Sequence, residues 1–304
     1  MSIFQNHVGI SISSSKINLV EVTYSDNNYI VNNIDEEYFD EFLDFDFKET
    51  RFINILQQAF DNLLLRNPLN SNFISFALPT NQFYFFELPF EPALHKADLD
   101  KHIQWEFSIN YPTLKYDDFV LRSFNLDVST QNKSIMIVGL RKKIINTLNL
   151  FALRNKLKLK FIDNEHIASA ISAGYGTNTV AVNLLSILIS EGCFSVLLTK
   201  EQSPIYFAKK SFSKITDFSR LFDQVISKLM SGYGEKYSID KVILFGDKNN
   251  SEIKNFIESK TNSVLLEFNP FEFLNISEKQ KDKDLLKNKP QRFAAAVGMS
   301  ARLI

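Results

Sequence analysis

At 304 residues the chain has room for one large domain or for two or three small ones. Its apolar fraction of 45% and its 29 phenylalanines supply ample core, which excludes disorder as the default state. A formal net charge of −1 gives no long-range attraction to nucleic acid or to an anionic membrane. The single cysteine, Cys193, excludes an intramolecular disulfide framework and fits a reducing compartment. The opening MSIFQNHVGI lacks the basic flank and apolar run of a signal peptide. No window approaches the roughly 18 to 20 apolar residues that cross a bilayer. The expectation is a soluble cytoplasmic protein with no nucleic-acid partner and no direct membrane insertion.

In chain order, Val8, Ile10 and Ile12 alternate with Gly9, Ser11 and Ser13, the pattern of a strand with one buried face. Ser13, Ser14 and Ser15 form a polar turn, and residues 17–22 return as a second strand. Residues 29–34 read as a third strand. Residues 35–49 then carry acids against a lone lysine, interleaved with Phe39, Phe42, Phe45 and Phe47, and read as a solvated connection tacked down by its phenylalanines. Phe52, Leu56, Phe60 and Leu63 recur at helical spacing, and Pro68 ends that helix. Residues 73–78 form a strand stopped by Pro79.

A second unit is expected over 79–162. Strand 83–88 leads into a turn bracketed by Pro89 and Pro92, and Asp98 is placed to cap a helix through Leu99, Ile103 and Phe107. Strands at 119–126 and 134–140, an amphipathic helix at 141–156 and a strand at 157–162 complete an α+β module of about eighty residues. Beyond a small-residue helix through Ile167 and Ala170, the second half repeats the plan of the first. Residues 180–189, a turn at Ser190, Glu191 and Gly192, and residues 193–198 make a hairpin, followed by a strand at 205–208. A helix through Leu221, Val225 and Leu229, a strand at 241–245, a short helix and a strand at 263–268 follow. Residues 278–289 read as a charged surface loop, and residues 292–304 as a closing small-residue helix.

These residues resemble a known family. The stretch LPFEPALHKADLDKHIQWEFSINYPTLKYDDF at 88–119 is similar to the signature of PilM-like actin-related proteins of type IV pilus assembly, relatives of the division protein FtsA. Residues 134–141, the stretch ending in FIDNE, Asn269-Pro270-Phe271 and the closing RFAAAVGMSAR match the rest of that family in order. The resemblance implies an α/β, actin-like (duplicated RNase H-like) two-lobed fold with an inserted α+β subdomain. A first domain would comprise 1–78, completed by 163–178 and 291–304. The inserted subdomain would be 79–162 and the second lobe 179–290.

The family's nucleotide motifs are degenerate here. Its first phosphate hairpin begins Asp-x-Gly, but the corresponding positions are Ser11, Ile12 and Ser13, followed by Ser14, Ser15 and Lys16. Magnesium prefers carboxylate oxygens, and a residue larger than glycine obstructs close phosphate approach. The second hairpin should carry an aspartate where this chain has Asn183 or Ile189, and the adenosine-side glycine run is reduced to Gly246 before Asp247. Ser13, Ser14, Ser15, Lys16 and Gly246 therefore mark a degenerate nucleotide cleft, with no cofactor required and at most weak ATP binding. Neither a catalytic residue nor a metal ligand is assigned. His7, His95, His102 and His166 are scattered without metal-type spacing, Cys193 reads as core, and the Ser-x-x-Lys spacing at 13–16 lacks companion motifs.

The function so implied is a pseudo-ATPase scaffold of a type IV pilus or related secretion machine, held at the inner membrane only through partners. It would bind the N-terminal cytoplasmic tail of a PilN-like bitopic protein and contact pilus motor components. Phe83, Phe85, Leu88, Lys101 and Trp105 are the expected walls of the tail groove. The rivals are an active actin-like ATPase or sugar-kinase-fold phosphotransferase, and an FtsA-like or type II secretion adaptor.

Overall fold

Strand β1 (Asn6–Ile12) runs antiparallel to β2 (Lys16–Ser25) with Ile12 opposite Ile17, so the turn falls on the three serines. A computed structural model describes residues 6–25, 28–89, 95–126, 134–176, 183–190, 192–201, 203–233, 239–246, 251–281 and 283–302. The readings of Pro92, residues 180–182, Glu191 and Asp247 lie outside the described residues. Strand β3 (Asn28–Tyr38) extends the hairpin, α1 (Glu49–Arg66) crosses over, and β4 (Phe73–Leu78) pairs parallel with β1. A separate three-stranded sheet follows, built from β5 (Tyr84–Pro89), β6 (Phe119–Leu126) and β7 (Ser134–Arg141), with α2 (Lys96–Asn110) between β5 and β6. Helix α2 starts before Asp98, which lies in its first turn and complements the helix dipole rather than capping it.

Helix α3 (Lys142–Arg154), β8 (Lys158–Asn164) and α4 (Glu165–Gly176) lead to the second lobe. That lobe contains β9 (Asn183–Ser190), β10 (Cys193–Lys200), β11 (Ser203–Ser211), α5 (Ile215–Tyr233), β12 (Lys241–Phe245), α6 (Ser251–Thr261) and β13 (Leu265–Leu266). The chain returns through β14 (Asn275–Ile276), α7 (Asp284–Lys287) and α8 (Ala294–Ser300).

The lobes share one topology. Strand order β3-β2-β1-β4-β8 in the first matches β11-β10-β9-β12-β13 in the second, with the same antiparallel and parallel pairings. The duplication also locates the insertion. In the second lobe α6 connects β12 directly to β13; in the first, α3 and β8 are their counterparts. Strand β8 pairs parallel with β4, from Phe73 opposite Lys158 to Leu78 opposite Asn164. The inserted unit therefore ends near Arg141, and the expected boundary at 162 is corrected. The boundary at 290 moves as well. Phe271 and Leu274 pack with Val20, Val22 and Phe293, and β14 pairs with β3, so the chain rejoins the first domain near 271. Residues 278–289 are not merely a charged loop: Gln280 is buried and accepts the Ile34 amide at 3.4 Å.

Both faces of the β1–β2 hairpin are buried, where alternation suggested one. On one side Ile10 and Ile12 meet Phe60 and Phe76, with the Phe151 ring edge-on to these two phenylalanines at 5.2 and 6.0 Å. On the other side lies α8, every residue of which is buried. A Cβ at Gly9 would stand 2.0 Å from the Ala296 carbonyl oxygen, and one at Gly298 would stand 1.9 Å from that of Ala168 in α4. The helix is thus wedged between strand and helix at backbone contact. Gly298→Val is expected to lower unfolding free energy by about 3 kcal/mol, since backbone cannot retreat from the added methyls. Gly232→Ala, whose methyl meets nothing within 4 Å, should raise it by up to about 1 kcal/mol. Paired urea melts check both.

Candidate functional site

Two concavities bear on the residues that the sequence singles out. The first is the cleft between the lobes, about 270 Å³, which brings together Ser13, Ser14, Ser15, Lys16 and Gly246. Its chemistry is set by what those groups already contact. The Lys16 ammonium lies 3.5 Å from Glu36, and the Arg292 guanidinium reaches the same carboxylate at 3.0 Å. Gly246 has φ of +103°, and a Cβ there would sit 2.1 Å from the Ile189 carbonyl oxygen. Close approach of β12 to β9 accounts for that glycine without any adenosine. Ser11 lines the cleft and Ile189 is buried, whereas the Asn183 amide bonds Asp240 at the far end of β9.

Among the described residues the carboxylates that line the cleft are Asp44 and Glu165, and an oxygen of Glu165 accepts the Thr80 amide at 3.0 Å. Glu165 was quoted in the FIDNE stretch but not assigned to the site; only the fold turns the start of α4 toward the cleft. Among the described residues no group of three His, Cys, Asp or Glu is placed to hold a metal. The volume lies below the roughly 300–1,000 Å³ usual for small-molecule pockets. Hydroxyls at the tip and cations committed to Glu36 do not fit a magnesium nucleotide.

Beneath the cleft, His166 joins the lobes. Its Nδ1 is 2.7 Å from Ser195 Oγ and its Nε2 is 3.0 Å from Ser186 Oγ. Ser186 also lies within hydrogen-bond distance of the Leu197 carbonyl, at 3.3 Å, so the ring is bonded at both nitrogens. The ring is wholly buried, which bars substrate and lowers its pKa to about 3. His7, bonded to Ser75 at 2.8 Å, is lowered to about 4, also by burial. Burial raises the Cys193 thiol, which has no access to solvent, so it is core as expected.

Those shifts fix a pH dependence. An unfolded histidine binds a proton near pH 6.5, whereas these two folded rings resist it until about pH 3 and 4. Between pH 6.5 and 4 the unfolded chain binds more protons, so stability falls as pH falls. Each histidine contributes a slope of about 1.4 kcal/mol per pH unit. Denaturant melts at descending pH should show this loss, and His166→Gln should be less stable at neutral pH with the slope reduced by one histidine's share.

The second concavity is a groove of about 1150 Å³ beside the inserted unit. Of the five residues expected to wall it, only Phe83 does so. Phe83 belongs mainly to the first-domain core, and Phe85 packs its ring 4.5 Å from Phe207 of the second lobe. Leu88 is buried with Ile103 and Phe107 inside the unit, while Lys101 and Trp105 are exposed on the outer surface of α2. Alternation along β5 is the reason: Phe86 and Leu88 face α2, and the opposite side faces the lobes. The expected five-residue wall is therefore corrected, and Leu88→Asp would unfold the unit rather than probe a surface.

The actual walls come from β6, β7, β8, α3 and α4, and from Leu184, Leu197, Thr199 and Pro204 of the second lobe. Val120, Arg122 and Phe124 project from alternate positions of β6 and face Leu159 and Ile162 of β8. Both β6 and β8 are the outer strands of their sheets. The charged groups are Arg122, Lys160, and Arg302 paired with Asp163 at 2.7 Å. Sequence offered one signal for this wall, the alternation of Val120, Arg122 and Phe124, but not what it would face.

No protein-family model matches the chain, and no curated protein matches it in sequence. Solved structures define the class. A Bacteroides thetaiotaomicron protein with an actin-like ATPase fold is 12% identical with a TM-score of 0.54, the match covering 94% of this chain and 96% of that one. The ethanolamine utilization protein EutJ from Carboxydothermus hydrogenoformans is 7% identical with a TM-score of 0.50, over 97% and 89% of the two chains. The chain has the actin-like ATPase fold. A chain of the PilM-PilN type IV pilus biogenesis complex is 17% identical with a TM-score of 0.70, over 96% of this chain and 97% of that one.

Proposed function

We propose that this protein is a non-catalytic scaffold of a type IV pilus or related secretion machine. Its groove would take the N-terminal cytoplasmic tail of a PilN-like bitopic inner-membrane protein. The observation that carries the reading is the groove itself, bounded by two outer strands and apolar over much of its walls. An extended peptide can complete such a strand edge with backbone hydrogen bonds while its side chains enter pockets. The likeness to a chain of the PilM-PilN complex supports the choice of partner. In this reading the protein sits in the cytoplasm and reaches the inner membrane through that partner, presenting other faces to motor components; among the described residues no helix is long and apolar enough to cross a membrane. The cleft chemistry supports a pseudo-ATPase that needs no cofactor and binds ATP weakly at most.

Ordering a flexible tail consumes part of the contact energy, so a Kd near 1 μM, about −8 kcal/mol, is expected. Anisotropy of a labelled peptide is the suitable readout, because Trp105 lies outside the groove. The N-terminal tail peptide of a PilN-like protein from the same organism should bind, and Val120→Glu or Arg122→Glu should weaken it about tenfold or more in protein that still unfolds cooperatively. Undiminished binding in both variants, or crosslinking only to residues that do not line the groove, would remove the groove from the account. In the same preparation phosphate release from magnesium ATP is expected to stay at background.

A further inference from the structure

We infer that the chain itself occupies the phosphate end of the cleft: the Ser13 hydroxyl fills the amide nest of the β1–β2 tip, and segment 39–47 caps that tip from outside. This rests on the non-catalytic reading of the cleft. A tight turn that aims successive backbone N–H groups at one point is a ready anion site. Here the point is taken. The amides of Ser15 and Lys16 donate to Ser13 Oγ at 3.3 and 3.1 Å, while that hydroxyl donates to the Lys16 carbonyl at 3.2 Å. The Ser13 amide closes the turn onto the same carbonyl at 2.9 Å. A glycine at 13 would leave the two inward amides open; the serine supplies internally the oxygen that a phosphate would otherwise bring.

The cap is equally specific. The Phe39 amide donates to the Ser15 carbonyl and the Leu43 amide to the Ser14 carbonyl, both at 2.8 Å. Leu43 is 1% exposed, and the Phe45 ring packs tilted against Phe52 of α1 at 5.4 Å, so the segment is anchored by its own apolar side chains. Tyr38, at its start, lies under the Lys16 ammonium at 5.7 Å. Glu41 pairs with Arg51 and Asp46 with Arg141, which pins the segment, while Asp44 lines the cleft. The Asp44 carboxylate disfavours a polyphosphate there while the neutral hydroxyl satisfies the nest. The interleaved acids and phenylalanines of 39–47 thus have separate tasks: rings and two ion pairs to hold the cap down, and Asp44 to face the cleft.

The test uses the full chain, amide hydrogen exchange, and titration calorimetry with inorganic pyrophosphate and with magnesium ATP. Without ligand, the amides of Phe39, Leu43, Ser15 and Lys16 should exchange at least about tenfold more slowly than exposed amides, and magnesium ATP should leave that protection unchanged. Ser13→Gly, or Ser13→Ala should the glycine variant fail to fold, should bind pyrophosphate about tenfold more tightly than the parent. Leu43→Ala should release protection at Phe39, whereas Phe42→Ala, 63% exposed, should not. Amides at 39 and 43 that are open without ligand and close on adding magnesium ATP would overturn the inference, making the segment a nucleotide lid. So would folded Ser13 variants that gain no pyrophosphate affinity. Turnover of magnesium ATP by the unaltered protein would instead remove the non-catalytic reading on which the inference stands.

Discussion

The fold depends on one contact, the wedge of α8 between β1 and α4. Gly9 and Gly298 let three backbones approach closer than any side chain allows. The seven residues of α8 are small or slender and wholly buried, so the approach brings dispersion contact along the whole helix rather than at a few side chains. Because α4 also carries His166, whose ring bonds hydroxyls on β9 and β10, the wedge sets the position of the second lobe as well. The first strand, the last helix and the junction between lobes form one mechanical unit. That is why the chain returns near residue 271 to finish the domain it began.

Charge is distributed in a way that separates the two concavities. In the cleft, Glu36 engages both Lys16 and Arg292, and both ion pairs are largely withdrawn from water. Removing one partner from such a group leaves an uncompensated charge, so these cations are committed to structure. The groove differs. Arg122 is exposed there and Lys160 lies over the Phe73 ring at 4.5 Å, while Arg302 answers Asp163. Among the described residues that line it, the cations outnumber the acid and stand among apolar walls.

The inserted unit is not an independent appendage. Phe83 and Leu140, at its two ends, enter the first-domain core, and Phe85 stacks on Phe207 of the second lobe. Lys209 of β11 donates to the Phe83 carbonyl at 2.9 Å, and burial lowers its pKa. The unit is therefore held at three points, which fixes the shape of the groove along its flank. Excising residues 79–162 would also take α3 and β8, and with them Phe151 and a sheet strand, so that cut divides a core instead of detaching one.

Local patterning carried much of this protein. Period-two alternation, helical spacing in α1 and α3, and proline or serine turns placed most elements in order, because backbone geometry relates neighbouring residues directly. The repeated hairpins were sufficient to expect a duplication, the family resemblance implied its actin-like form, and the missing aspartates at Ser11 and Asn183 or Ile189 were visible as residue types. Tertiary structure decided what each face meets. Whether β8 belongs to the inserted unit or to the first sheet depends on parallel pairing with a strand some eighty residues earlier. Whether Leu88 and Phe85 line a groove or fill cores depends on which body lies on each side of β5, and alternation records only that the sides differ. The same holds for Lys16 and Ser13: their chemistry is plain in the sequence, but Glu36 and the folded turn determine that both are already satisfied. Contacts between distant segments leave no periodic trace, so only the fold reveals them.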